Sequence, residues 1–125
     1  MDESLVHATL TLSDYLTWET QQTDKHDFFG GEVFAMTGGT LRHNLATVAS
    51  VVAFKSHLVD SPCKVFSGDV KVAVNVTEHW FYPDVLVTCS ARDLTDLGAV
   101  AVTESTLILE VLSPSTAAYD PIHRS

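Results

Sequence analysis

Between residues 12 and 20 the apolar side chains Leu12, Tyr15, Leu16 and Trp18 recur at intervals that place them along one side of a helix, and Ser13 can cap its start. From Asp27 onward two short apolar runs, Phe28–Phe29 and residues 32–36, flank the pair Gly30–Gly31. That pair tolerates positive φ, so the pattern predicts a β-hairpin. Gly38 and Gly39 close the second run as a turn. Thr40 then caps a long helix in which Leu41, Leu45, Val48, Val52 and Leu58 follow a period of about 3.6 residues, and Ser61–Pro62 end it.

Beyond that break the periodicity changes to two. Lys64 to Phe66 and then Val70, Val72, Val74 and Val76 alternate with polar or small residues, as a half-buried strand does. Residues 85–89 and 107–112 are apolar on both parities, the mark of inner strands covered on both faces. The intervening residues 90–105, with Arg92, Asp93, Asp96, Gly98 and Glu104, read as a surface connection with room for a helical turn. No repeat, low-complexity tract or linker is present. The order is therefore helix, hairpin, long helix and three strands, a mixed α/β domain.

Composition narrows the class. The 125 residues suit a single domain over 1–125, and 46% hydrophobic against 18% charged residues, with a mean hydropathy of +0.16, excludes intrinsic disorder. The longest apolar stretch, 48–54, is interrupted by Ser50 and falls far short of a membrane span of about 20 residues. Met1, Asp2 and Glu3 begin the chain with acid where a secretory signal carries base, so the expected setting is the cytoplasm, with no membrane partner. A net charge of −9 argues against nucleic-acid binding by broad phosphate neutralisation. Cys63 and Cys89 lack a Cys-x-x-Cys spacing and are expected to be reduced packing residues. The six histidines show no paired zinc spacing. Trp80, Phe81 and Tyr82 are expected to pack under a loop rather than stack on bases.

The informative residues are two carboxylates at strand positions that should be apolar. Asp84 opens the run 85–89, and Glu110 interrupts Leu107, Ile108, Leu109, Val111 and Leu112. A buried carboxylate without a partner costs several kcal/mol, so each needs a compensating cation. No Lys or Arg lies within five residues of Glu110. A partner delivered by the fold would serve. So would Mg²⁺ (or Mn²⁺), which is commonly held by one or two carboxylates together with waters and substrate phosphates.

The run Pro83-Asp84-Val85, followed by Glu110-Val111-Leu112-Ser113-Pro114-Ser115-Thr116, resembles the Uma-type restriction endonucleases of the PD-(D/E)XK nuclease superfamily. The likeness continues through Tyr15-Leu16, the stretch 29–36, His43-Asn44 and the stretch 67–72, and so covers almost the whole chain. It implies a restriction-endonuclease-like fold, a mixed β-sheet flanked by helices, and a metal-dependent endonuclease acting on DNA. By the same resemblance Asp84 and Glu110 are metal ligands, the Val111 carbonyl completes the site, and Glu32 is the matching catalytic glutamate from the N-terminal part.

Two departures qualify what the resemblance implies. The superfamily lysine two residues after the glutamate is replaced by Leu112, and the nearest cation in the following stretch is Arg124, which can bind a phosphate but cannot act as a base. The chain also stops soon after the second ligand, so the fold is expected to be incomplete at its C-terminus, with apolar surface of the long helix and of 107–112 exposed and a homodimer as one outcome. Turnover is then in question, and the alternative is a catalytically inactive remnant acting as a binding or oligomerisation module. Asp69 and Lys71 on one side of their strand, and His43 in the first turn of the long helix, are the remaining candidates for contact with substrate. Lys71 could stand in for the missing lysine or be a solvated residue on a polar strand face.

Overall fold

The computed structural model of the chain describes residues 4–7, 9–36, 38–75 and 79–112. The first helix, α1 (Leu12–Glu19), is capped two residues earlier than Ser13: the Thr11 hydroxyl accepts the N–H of Asp14 at 3.1 Å. Ser13 lies inside the first turn. Ahead of α1 a short strand, β1 (Ser4–His7), pairs with the outer side of the hairpin. Four residues with Leu5 and Val6 both exposed carry no alternation by which the strand could be foreseen.

The hairpin itself forms as the glycine pair dictates. β2 (His26–Phe29) and β3 (Glu32–Ala35) pair from His26↔Ala35 to Phe29↔Glu32 across a two-residue turn in which Gly30 and Gly31 have φ of 55° and 92°. The long helix α2 (Leu41–His57) follows, with the Thr40 hydroxyl accepting the N–H of His43 at 3.1 Å. The remaining elements are β4 (Lys64–Ser67), β5 (Lys71–Asn75), β6 (His79–Phe81), β7 (Val85–Thr88), the short helix α3 (Ala91–Leu94), β8 (Ala101–Val102) and β9 (Leu107–Leu109). Trp80 and Phe81 thus belong to a strand, β6, which pairs with β2 and β5, rather than to packing beneath a loop.

The strands divide into two sheets, ordered β1-β3-β2-β6-β5-β8 and β4-β7-β9. The larger is mixed, because β5 and β8 run parallel while its other pairs are antiparallel. Tyr15 of α1 packs with Phe28, Val33, Ala73 and Trp80 on one face of this sheet. Its other face meets the smaller sheet, where Val72 and Val102 pack with Leu86, Phe66 and Ile108. Consecutive residues Val72 and Ala73 therefore serve two different cores. A shift of register between Ala73 and Asn75 explains why Val74, on the parity of buried Val72, is 60% exposed.

Of the two runs expected to be inner strands, β7 is one: Val85 to Thr88 are all buried and flanked by β4 and β9. β9 is instead an edge of its sheet among the described residues, and Leu107 is exposed. The expectation for the cysteines is also corrected, since Cys63 and Cys89 form a disulfide. The pair Lys64↔Thr88 at the end of the β4–β7 ladder brings the residues just beyond it side by side, a proximity that sequence spacing does not display. No helix among the described residues is long and apolar enough to cross a membrane.

Candidate active site

Two of the passages between the sheets, residues 68–70 after β4 and 82–84 after β6, come near the first turn of α2. A cleft of about 380 Å³ opens there, lined among others by Lys25, Gly39, His43, Ser67, Tyr82 and Asp84. Asp84 is fixed from three directions. Its carbonyl accepts the Ser67 hydroxyl of β4 at 3.0 Å; its Oδ2 accepts the Val111 N–H at 2.7 Å and lies 3.1 Å from His43 Nε2. Against a carboxylate oxygen this nitrogen is the one that carries the proton. Oδ1 takes part in neither contact.

His43 is aimed by its own helix start. Its N–H is spent on the Thr40 cap, its carbonyl accepts the Thr47 hydroxyl at 2.9 Å, and its ring lies against Gly39. A Cβ at position 39 would sit 2.7 Å from His43 Nδ1, so glycine is required there for close approach. The compensating partner for Asp84 is therefore a histidine 41 residues away, delivered by the fold.

Glu110 lies one residue past β9. In the β7–β9 register Val85 faces Leu109, and one step further along the antiparallel ladder comes Asp84 opposite Glu110. Asp84 is half-buried and Glu110 exposed, so neither bears the full cost of burial on which the sequence argument drew. Glu32 is not brought to this place. It is exposed at the turn end of the β2–β3 hairpin, while Lys25 and Met36, at the opposite end, line the cleft. Asp69 is exposed and pairs with Lys25 at 3.1 Å, and the same ammonium donates to the Gly68 carbonyl. Arg124 lies outside the described residues.

Lys71 is buried rather than solvated, and it belongs to a polar cluster beneath the cleft that the sequence did not disclose. Glu19 is its centre: Oε2 accepts the His26 N–H and the Tyr82 hydroxyl, each at 2.8 Å, and Oε1 lies 2.9 Å from His26 Nδ1. Tyr15 donates to the His26 carbonyl, and Asp27 Oδ1 accepts the Tyr82 N–H at 3.2 Å. The Lys71 ammonium stands 5.2 Å from the centre of the Tyr82 ring. Burial pushes both phenols far above their ordinary range and pushes the Lys71 amine down, the Glu19 carboxylate opposing the latter shift. The cluster ties α1 and β2 to the segment that delivers Asp84. Its only local sign in the sequence is the polar pair His26-Asp27 leading into the apolar Phe28-Phe29.

A mixed sheet flanked by helices, with Asp84 at a cleft between the two sheets, is the architecture of a restriction-endonuclease-like α/β protein. Residues 12–123 match the model of the Uma2 family, described as "Putative restriction endonuclease", and the chain belongs to that family. It is 39% identical over 111 residues to uncharacterized protein slr1290 of Synechocystis sp. (strain ATCC 27184 / PCC 6803 / Kazusa), a match covering 89% of this chain and 57% of the relative. A second uncharacterized protein of the same organism, sll1609, is 35% identical over 111 residues, covering 89% of this chain and 63% of its own length. The chain thus spans somewhat under two thirds of the curated relatives it matches.

Proposed function

We propose that this chain carries the metal-binding centre of an enzyme that hydrolyses DNA phosphodiester bonds, with Asp84 and Glu110 as the carboxylates and the Val111 carbonyl beside them. The observation that supports this reading is the end of the β7–β9 ladder at Val85↔Leu109, which Asp84 and Glu110 each adjoin by one residue. Both are hard oxygen donors of the kind Mg²⁺ and Mn²⁺ take. Among the described residues no three or more His, Cys, Asp or Glu converge as a metal-binding group, so in this reading waters and substrate phosphate would have to supply the remaining donors. When bound, such a cation acidifies a water and offsets charge on the scissile phosphate.

The chain's own residues prepare the remainder. His43 and the Val111 N–H hold Asp84 Oδ2, which fixes the carboxylate plane and leaves Oδ1 for the cation. The start of α2 lines the same cleft, and the positive end of its dipole favours a phosphate there. Lys25, held by Asp69, adds a cation at the rim, and Arg124 is the further candidate for a phosphate contact. Lys71 acts from inside the Glu19–Tyr82 cluster, on the shape of the cleft.

A second reading, an inactive binding or oligomerisation module, is favoured by Leu112 at the superfamily lysine's position. Supercoiled plasmid incubated with Mn²⁺ separates the two. The nuclease reading expects nicking by the unaltered chain that Glu110→Gln abolishes, and a Mn²⁺-dependent rise in melting temperature that Asp84→Asn removes. A retained rise without nicking selects the inactive module; absence of both overturns the site itself.

A further inference from the structure

The outward side of α2 is apolar where a surface helix is normally polar. Leu41, Leu45, Val48 and Val52 are 86%, 71%, 51% and 58% exposed, at steps of four, three and four residues, the spacing of a helix–helix seam. Exposed Ala49 and Ala53 lie beside this row and permit close approach of a second backbone. The side that packs on β4 and β7 is carried by Thr47, which is buried, and by half-buried Phe54 and Leu58. The helix therefore turns its larger apolar face away from its own sheet.

The charges around the seam indicate what fits it. α2 has no Asp or Glu in its 17 residues, although the chain as a whole has 16 acids against 7 bases. Arg42 stands beside the seam at its first turn, and Lys55 continues the Val48 row one heptad on, both exposed. A second copy would present the same acid-free face. In a parallel pairing it would set Arg42 against Arg42 and Lys55 against Lys55, and in an antiparallel one it would offer neither cation a carboxylate. We infer that the outer face of α2 is a docking surface for an amphipathic helix of a partner protein, one whose apolar seam is flanked by acidic residues. The surface is separate from the Asp84 cleft.

The test uses the whole chain and a labelled synthetic amphipathic peptide with a leucine seam flanked by glutamates, its control carrying lysines instead. The net charge of −9 disfavours the acidic peptide over the molecule as a whole, and the charge-reversal variant below assigns any preference for it to α2. Fluorescence anisotropy should show the glutamate peptide binding about tenfold more tightly than the lysine peptide. Leu45→Gln with Val52→Gln should abolish binding without lowering the melting temperature, since both side chains are exposed. Arg42→Glu with Lys55→Glu should reverse the preference. No binding, equal binding of the two peptides, or a preference indifferent to the charge reversal overturns the inference. So does self-association on concentration that Leu45→Gln with Val52→Gln removes, because the occupant is then a second copy.

Discussion

Gly39 shows how a single absent methyl group can set a candidate active site. Alanine there would force the His43 ring out of its place beside Asp84, because the new carbon would meet Nδ1, Cγ and Cβ of that side chain at 2.7, 3.1 and 3.4 Å. Gly39→Ala is expected to lower stability by about 1–3 kcal/mol in urea unfolding, as overpacking does. Gly38→Ala, whose added carbon meets nothing within 4 Å, is the matched control and should stay within about 0.5 kcal/mol. Lys71 gives a pH signature. Burial lowers its amine below the ordinary 10.5 despite the pull of Glu19, so the unfolded chain holds a proton there that the folded chain sheds. Stability then rises with pH from the lowered value towards 10.5. Tyr15 and Tyr82, pushed upward, reverse the trend only once pH passes their ordinary 10.0. Lys71→Met should flatten the alkaline rise in denaturation midpoint below pH 10.5. Both residues had a local reading in the sequence, as a turn glycine and a strand lysine. What changes those readings is a neighbour from elsewhere in the chain, which no spacing rule reports.

At the level of elements, the parts governed by local chemistry were legible: the Gly30–Gly31 turn, the Thr40 cap with its helix, and the all-apolar β7. Each follows from backbone preference or from burial on two sides. β1 and β8 were not, because strands of four and two residues are held by their partners and not by a pattern of their own. The direction in which α2 faces was also hidden, since a period of about 3.6 announces a stripe without saying what covers it. The Cys63–Cys89 bond belongs to this scale too. It ties the far ends of β4 and β7 across a separation of 26 residues, while Ser67 and the Asp84 carbonyl tie the near ends. Reduction should lower the unfolding free energy by about 3 kcal/mol, from the loop closed in the denatured chain. A Cys63→Ala, Cys89→Ala variant should be equally weakened and indifferent to reductant; identical midpoints for the oxidised and reduced protein would refute this role.

Across the whole molecule, the sequence motif singled out Asp84 and Glu110, and the β7–β9 ladder ends at Val85↔Leu109, one residue short of each. The contributions of His43, Ser67 and Tyr82 required the two sheets to be assembled first. Asp84 stands where the chain leaves the larger sheet for the smaller one, and residues 68–70 cross in the other direction beside it. The cleft beside this carboxylate is lined by Lys25 and Met36 at the end of the β2–β3 hairpin and by Ser67 of β4, so an occupant would touch strand ends belonging to both sheets at once.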